Sequence, residues 1–307
     1  MQSTFVISSS SDGLELHALE IRPEEEVRGV LVLVHGMAEH KERYILFMEY
    51  MASLGYACLI HDHRGHGESV RDPEDLGFMY ANGAEAIVED VQDMVREAER
   101  RYPQLPIHMF GHSMGSLIVR CYLQKYDDRL TSLTISGCVA QNPAADAGKF
   151  MAALVGKIKG DHYRSPLITA MAFGSYNKAF PGAKSSYAWL NSDEEAVQQY
   201  EEDPLCGFVF TANGYENLMK LLKQCYQNGS YQKKNPALPI LFLSGADDPC
   251  CMGEKGFHGA VDYLKSAGYK NTAGVLLPGM RHEILNEPGR MKVYELTAAH
   301  VGAAGLK

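Results

Sequence analysis

The chain has 307 residues, of which 46% are apolar and 22% are charged, a composition typical of a globular protein with a sizeable core. Its 29 Lys and Arg residues stand against 38 Asp and Glu residues, which gives a formal net charge of −9 at pH 7. Nucleic acids and anionic membrane surfaces attract basic patches, so this balance argues against either as the main partner.

Strand-like and helix-like segments alternate along the first half of the chain. A hairpin is expected first, because Asp12-Gly13 separates two short strand-like runs. The continuous apolar run 29–34 is typical of a strand buried on both faces. The predicted strands are 5–8, 14–21, 29–34, 56–60, 106–110 and 130–135, and the predicted helices are 43–54, 84–101 and 114–125. This order predicts a mostly parallel central sheet flanked by helices.

The alternation stops between residues 140 and 207. This stretch contains helical pieces at 150–158, 167–173 and 194–202, and no strand is predicted in it. The alternation of helices and strands then resumes, with a helix at 215–226, a strand at 240–243, a helix at 255–267, a strand at 275–277 and a terminal helix from 289. We therefore predict an α/β core formed by 1–139 and 208–307, with a helical cap of 140–207 inserted after the sixth strand.

The strongest chemical signal is the sequence Gly-His-Ser-Met-Gly at 111–115. It follows a predicted strand and opens a predicted helix, which is the context that a G-x-S-x-G nucleophile elbow requires. Glycine on both flanks lets the strand and the helix approach closely around a strained turn. Ser113 is therefore the candidate nucleophile, at the carboxyl edge of the sheet where ligands of α/β proteins bind.

A serine hydroxyl needs a base, and the base needs an acid to orient it. In folds with this elbow the chain order is serine, acid, histidine, each after a strand. Asp247 and Asp248 follow one predicted strand, and His282 follows the next. The order therefore predicts a triad of Ser113, Asp247 or Asp248, and His282.

An oxyanion hole needs two backbone N–H groups. One comes from the residue after the nucleophile, here Met114, and the other from the loop after an early strand. His35-Gly36-Met37 follows the buried run 29–34 directly, which makes Met37 the second candidate donor.

Taken together, these motifs resemble the α/β-hydrolase superfamily, in the branch of lysophospholipases and monoacylglycerol lipases that is also described as serine aminopeptidase-like. The matching segments are His35-Gly36-x-x-Glu39-His40-x-x-Arg43-Tyr44, Asp62-x-Arg64-Gly65-His66-Gly67-x-Ser69, the elbow, Gly245-x-x-Asp248-Pro249 and His282. The resemblance implies the α/β-hydrolase fold and selects Asp248 over Asp247 as the acid.

The resemblance also implies which residues meet the substrate. Glu39 and Arg43 match positions near the glycerol end of the pocket in monoacylglycerol lipases. Those enzymes commonly carry a second histidine three residues after the catalytic one, where this chain has Leu285, so tolerance of varied alcohols is expected. Nine large apolar residues of the cap are candidates for an acyl tunnel or for a face packed on the core: Phe150, Met151, Leu154, Val155, Leu167, Ile168, Met171, Phe173 and Trp189.

One histidine-rich segment resembles a zinc motif. His61, His63 and His66 are spaced like the ligands of metallo-β-lactamase-type hydrolases, but Gly65 replaces the aspartate which that motif needs. The surrounding residues fit the serine-hydrolase loop instead, with Arg64 and His66 bracing the oxyanion turn. No metal and no organic cofactor is therefore expected.

The reaction predicted is hydrolysis of a carboxylic ester through an acyl-enzyme, on a small ester or single-chain lipid such as a monoacylglycerol or a lysophospholipid. Two alternatives stay open. An aminopeptidase of the same fold would need a cap carboxylate to hold a free amine, for which Glu194, Glu195, Glu201 and Glu202 are candidates. A non-catalytic ligand-binding protein of the same fold would keep the triad without turnover.

The start of the chain and its cysteines suggest a compartment. Residues 1–13 show no basic and apolar signal-like pattern, and the seven scattered cysteines favour a reduced protein. A cytoplasmic location is expected. No apolar run approaches the ~18 residues of a membrane-spanning helix, so stable membrane insertion is not expected, while the sequence leaves the oligomeric state open.

Overall fold

The computed structural model describes residues 1–305, which form one eight-stranded sheet with helices on both faces. The strands are β1 (Gln2–Ser8), β2 (Glu15–Ile21), β3 (Gly29–Val34), β4 (Tyr56–His61), β5 (Ile107–His112), β6 (Ser132–Ser136), β7 (Ile240–Gly245) and β8 (Thr272–Leu277). Their spatial order is β1-β2-β4-β3-β5-β6-β7-β8. The pairs β1–β2 and β2–β4 are antiparallel and all other pairs are parallel. The predicted fold class is confirmed.

The helices lie close to their predicted positions. They are α1 (Ile45–Ser53), α2 (Gly83–Arg101), α3 (Met114–Tyr126), α4 (Ala145–Lys159), α5 (Pro166–Phe173), α6 (Glu194–Glu202), α7 (Ala212–Cys225), α8 (Gly253–Ala267) and α9 (Arg290–Gly305). The largest difference is at α4, which begins at Ala145 rather than at 150. Helix α1 begins at Ile45 rather than at 43, because Lys41–Tyr44 forms a tight 3₁₀ turn before it. The cause is tertiary: the Lys41 backbone N–H and ammonium group both donate to the buried Asp62 carboxylate, at 2.8 Å each.

The apolar core lies on both faces of the sheet, as the unalternating sequence of β3 indicates. Alternate β3 residues face opposite layers, with Val30, Val32 and Val34 in one and Leu31 and Leu33 in the other. Helices α2, α3, α7 and α8 cover the first layer, whereas α1 and α9 cover the second. Burial on both faces fixes the strands firmly, so that their carboxyl ends can hold functional loops in place.

Four of those strand ends carry the residues singled out from the sequence. Met37 lies in the loop after β3, Ser113 directly follows β5, Asp248 lies just beyond β7, and His282 lies in the loop between β8 and α9. Segment 140–207 covers this edge with α4, α5 and α6 and contains no strand, and α4 packs against α7. Within residues 1–305, no helix has both the length and the apolar character needed to span a bilayer.

Candidate active site

Ser113 occupies a strained turn between β5 and α3. Its backbone has φ 55° and ψ −117°, a conformation that L-residues rarely adopt. Both flanking glycines are required by packing, because an added Cβ would lie 2.6 Å from Val119 Cγ1 at Gly111 and 2.1 Å from the Val34 carbonyl oxygen at Gly115. The turn thus directs the Ser113 hydroxyl out of the sheet edge and into a cavity.

The structure brings Ser113, His282 and Asp248 into one hydrogen-bonded row. Ser113 Oγ lies 2.8 Å from His282 Nε2, and His282 Nδ1 lies 2.8 Å from Asp248 Oδ2. In the arrangement that catalysis needs, Nδ1–H donates to the carboxylate and Nε2 accepts from the hydroxyl. Burial opposes protonation of His282, but the adjacent carboxylate outweighs it and holds the pKa of His282 above its ordinary value. His282 is thereby a stronger proton acceptor.

The two neighbouring aspartates have different surroundings. Asp248 is buried, and its second oxygen, Oδ1, accepts from the Cys250 backbone N–H at 2.8 Å. Asp247 is exposed, and no bond from its side chain to His282 is present within residues 1–305. The geometry therefore favours Asp248, in agreement with the register that the resemblance implied.

The loop that carries Met37 is fixed by its own side chains and by the cap. Glu39 is buried, and its Oε1 accepts from the backbone N–H of Gly36 and from the hydroxyl of Tyr44. The Ala38 carbonyl accepts from the Tyr200 hydroxyl of α6 at 2.9 Å. Met37 and Met114 both line the cavity beside Ser113. Met114 is the first residue of α3, where a backbone N–H has no partner within the helix, so both remain the candidate oxyanion donors.

Arg43 bridges this loop to the loop of His282. Its guanidinium group donates to both oxygens of Glu283, at 2.6 and 2.8 Å, and to Glu39 Oε2 at 2.9 Å. Glu283 directly follows His282, so one planar cation joins the two halves of the site. Glu39 lines the cavity, whereas Arg43 lies behind it, held by the two carboxylates. The structure therefore indicates a positioning role for Arg43 rather than the substrate contact expected from the sequence.

Arg43→Met is expected to lower kcat about 10²-fold with a smaller change in KM, because both loops lose a common anchor near the reacting atoms. Arg43→Lys should recover only part of the rate, since an ammonium group cannot bind two carboxylates through a fixed fork. The measurement is steady-state ester hydrolysis well below the melting temperature of each variant. A rise in KM at constant kcat would instead indicate direct substrate binding.

Leu285 lies away from the cavity. It is buried in the second core layer with Ile284, Val293 and Tyr294 and is not among the cavity-lining residues. The resemblance implied that position 285, three residues after the catalytic histidine, lies at the alcohol end of the pocket. Residues 278–289 form a loop before α9, and this loop directs Leu285 into the core instead. We do not assign Leu285 to substrate binding.

Four buried histidines pack beneath the oxyanion loop. The His35 and His63 rings lie 4.0 Å apart, the His63 backbone N–H donates to His35 Nε2 at 2.9 Å, and the His66 ring bonds the Arg64 carbonyl at 3.1 Å. Burial lowers the pKa of all four, to about 3 for His61 and about 4 for His66. Neutral buried rings, three of which bond backbone groups, fit a structural role and not a set of converging metal ligands.

These histidines predict instability in acid. Their folded pKa values lie below the unfolded value of about 6.5, so the unfolded chain binds more protons as the pH falls from 6.5 toward 4. Each such group should lower the free energy of unfolding by about 1.4 kcal/mol per pH unit in that window. Neither ring nitrogen of His61 has a hydrogen-bond partner within residues 1–305, so His61→Leu should flatten the slope without losing a bond.

Urea unfolding at pH 7, 6 and 5 measures this slope. His258→Asn, at an exposed position of α8, serves as the matched control and should leave the slope unchanged. An identical slope in the His61→Leu and wild-type chains would contradict the assignment.

The cavity above Ser113 has a volume of about 680 Å³, within the range of small-molecule sites. Five of the nine cap residues singled out from the sequence line it: Met151, Ile168, Met171, Phe173 and Trp189. The other four do not. Phe150, Leu154 and Leu167 are exposed and Val155 packs on the core. Helix α7 contributes lining residues that sequence reasoning missed, namely Tyr215, Leu218, Met219 and Leu222.

Apart from histidines, Glu39 and Glu283 are the charged residues that line the cavity among residues 1–305.

The end of the cap supports the loop of His282. The Glu283 backbone N–H donates to the Leu190 carbonyl at 2.8 Å, and the Arg281 guanidinium group donates to the Asn191 carbonyl at 2.9 Å. The Trp189 ring lies 5.0 Å from the His282 ring. Segment 188–192, although part of the cap in sequence, therefore supports the loop that carries His282.

Comparisons with known proteins identify a family and several similar chains. A family model described as "Serine aminopeptidase, S33" matches residues 25–289. Monoacylglycerol lipase of Mycolicibacterium smegmatis is 28% identical over 277 residues, covering 89% of this chain and 88% of that protein. Phospholipase YtpA of Bacillus subtilis is 25% identical, covering 88% and 93%. The structure of a thermostable carboxyl esterase from Bacillus coagulans, in complex with glycerol, superposes with a TM-score of 0.92 at 23% identity, covering 99% of each chain.

Proposed function

The chain belongs to the serine aminopeptidase S33 family, and from that membership and the site geometry we propose that it hydrolyses the carboxylic ester of a single-chain lipid through an acyl-enzyme. The chain is an α/β-hydrolase of the monoacylglycerol lipase and lysophospholipase branch, and a carboxylic ester hydrolase. The acyl-enzyme and the substrate class, a monoacylglycerol or a neutral lysophospholipid, are the proposal.

The observation that carries the proposal is a Ser–His–Asp row in which His282 and Asp248 are buried and Ser113 opens on a large, mostly apolar cavity. An acyl chain can fill such a cavity, and each buried methylene contributes ~0.8 kcal/mol. The names of the related proteins, which act on monoacylglycerols and phospholipids, support the same class of substrate.

In the proposed mechanism His282 takes the proton of Ser113 as Oγ attacks the ester carbonyl. The N–H groups of Met37 and Met114 stabilise the oxyanion, and Asp248 stabilises the imidazolium. His282 then protonates the leaving alcohol. Water repeats the attack on the acyl-enzyme and releases the fatty acid.

The aminopeptidase alternative lacks support at its key contact. Glu194, Glu195, Glu201 and Glu202 are exposed on α6, and none lines the cavity. The two acids that do line it, Glu39 and Glu283, are both bonded to Arg43. Aminoacyl-naphthylamides should therefore turn over far more slowly than p-nitrophenyl esters, and turnover of any ester would exclude a purely ligand-binding role.

Substrate preference tests the proposal. For p-nitrophenyl esters of two to sixteen carbons, kcat/KM should climb several-fold per two carbons until the cavity is full. Among lipids, monoacylglycerol should exceed lysophosphatidate by at least about tenfold, because two carboxylates and no lysine or arginine line the cavity within residues 1–305. A profile that peaks at acetate or butyrate would contradict a lipid substrate and indicate a small-ester esterase.

Two neighbouring variants locate the acyl chain. Met151 lines the cavity, whereas Phe150, next to it on α4, is exposed. Met151→Trp should therefore lower activity on long esters selectively, and Phe150→Trp should not. Equal effects of the two changes would place the acyl chain elsewhere.

A further inference from the structure

The thiol of Cys250 faces the candidate base, and the proposed mechanism does not use it. Cys250 is buried, lines the cavity and follows Asp248 by two residues. Its Sγ lies 4.0 Å from His282 Nε2, the nitrogen that accepts the Ser113 proton. Tyr176 lines the same cavity from the cap side. A sulfur and an imidazole nitrogen therefore converge at the wall of the cavity.

The surroundings of His282 match those of a zinc-binding histidine. Such histidines donate their other ring N–H to a carboxylate, which fixes the tautomer and raises the basicity of the ligating nitrogen. Asp248 is in that position, 2.8 Å from Nδ1. Asp248, Cys250 and His282 each offer a ligand atom, and the three atoms lie within 4.8 Å of one another. With zinc bonds of about 2.3 Å to sulfur and about 2.0 Å to nitrogen, tetrahedral geometry needs the two atoms about 3.5 Å apart. A side-chain shift of about half an ångström achieves this.

We propose that Cys250 and His282 form an inhibitory site for a thiophilic divalent cation, with Zn²⁺ as the physiological candidate. On binding, the Cys250 thiol releases its proton to solvent, and the lone pair of His282 Nε2 is donated to the metal. Ser113 Oγ, 2.8 Å from the same nitrogen, and water from the cavity complete the coordination. His282 then has no lone pair to accept the serine proton, so turnover stops until the metal leaves.

A second group of possible ligands provides the internal comparison. His40, Asp203 and Cys206 also lie within 4.8 Å of one another, outside the cavity. The His40 ring nitrogens are bonded to carboxylates, Nδ1 to Glu42 at 2.6 Å and Nε2 to Asp203 at 2.8 Å, whereas Nε2 of His282 faces the Ser113 hydroxyl, which can itself become a ligand. A metal held by His40 would not touch the base. Inhibition is therefore assigned to the Cys250 site.

The test is titration of ester hydrolysis with Zn²⁺ in wild type, Cys250→Ser, Cys251→Ser and Cys206→Ser, each normalised to its own metal-free rate. Cys251 is the matched neighbour, because its thiol bonds the Asp248 carbonyl and does not line the cavity. Wild type should lose activity and regain it with EDTA. Cys250→Ser should need at least about tenfold more Zn²⁺ for half-inhibition, and the two controls should not. Equal sensitivity of Cys250→Ser, or resistance of Cys206→Ser alone, would overturn the proposal.

Metal binding is also measured without activity, because the inhibition rests on the proposed role of His282. Co²⁺ added to the wild-type chain should give thiolate-to-cobalt charge-transfer absorption that is lost in Cys250→Ser and kept in Cys251→Ser. If no ester is hydrolysed at all, this absorption still decides whether the site exists. Thermal unfolding confirms that each variant is folded, and Cys250→Ala replaces Cys250→Ser if the latter is not.

Discussion

Ser113→Ala is expected to lower kcat/KM for ester hydrolysis by ~10⁴–10⁶, the range typical of losing a triad nucleophile. The hydroxyl has no other bonded role, since its contact is with His282 Nε2, so the fold should be retained. A fluorophosphonate probe should label the wild-type chain at Ser113 and leave the alanine variant unlabelled.

Ser116→Ala is the matched control for the nucleophile. Ser116 is buried one helical turn along α3, and its hydroxyl faces Arg120 and the Val139 backbone N–H rather than His282. This variant should still react with the probe. Labelling of Ser113→Ala, or its unchanged turnover, would exclude the proposed mechanism.

Asp248→Asn should cost ~10³–10⁴ in kcat, far more than Asp247→Asn. The asparagine oxygen can still accept from the Cys250 N–H, so the turn after β7 is preserved. Its NH₂ group, however, then faces His282 Nδ1 and donates to it, whereas the carboxylate accepts from Nδ1–H. This favours the tautomer that carries its proton on Nε2, and that tautomer cannot take the serine proton. The two variants are compared by pre-steady-state and steady-state hydrolysis of one ester.

Asp247→Asn provides the control within the same loop. Its side chain is exposed, and its backbone N–H donates to the Met280 carbonyl, a bond that the substitution keeps. Activity should change little. If Asp247→Asn were the damaging change instead, the acid would be assigned to the wrong neighbour.

Periodicity and turn signals were sufficient to predict the fold. Continuous apolar runs without alternation identified the buried strands. For example, β3 has the predicted bounds, Gly29–Val34, and all its residues are buried. The helical stretch 140–207 was recognised because alternation between strand and helix stopped there. Boundaries moved where tertiary contacts intervened, as at Lys41, whose bonds to Asp62 tighten the turn before α1.

Those parts of the site that a motif fixes through backbone geometry were predictable. The hydrogen bonds and ion pairs between side chains distant in sequence were not. Ser113, Asp248 and His282 meet because each follows a strand at one sheet edge, and their catalytic roles stay predictions until the variants are measured. Arg43 was expected at the substrate, but a planar cation between two buried carboxylates, Glu39 and Glu283, is satisfied internally. Spacing alone carries no information about such pairings.

The sequence also did not predict which residues of a helix line the cavity. Apolar residues of α4 at similar spacing divide between the cavity and solvent, so Met151 lines the pocket while Phe150 does not. In the sequence Cys250 is interpreted as a packing residue, because a thiol without a motif indicates no function, and the proposed role depends on its 4.0 Å approach to His282 Nε2.

The contacts of segment 188–192 determine where this enzyme can be recombined with its relatives. Leu190 and Asn191 support the loop of His282, and the Ser192 backbone N–H donates to Glu287 in that same loop. A chimaera that exchanges 140–207 as one block would therefore replace the residues that support the loop of His282 together with the cap residues that line the cavity. A crossover placed before residue 187 transfers α4, α5 and the 3₁₀ turn Tyr176–Ala179. The part of the cavity wall that these elements supply can thus be exchanged without replacing the contacts that support the loop of His282.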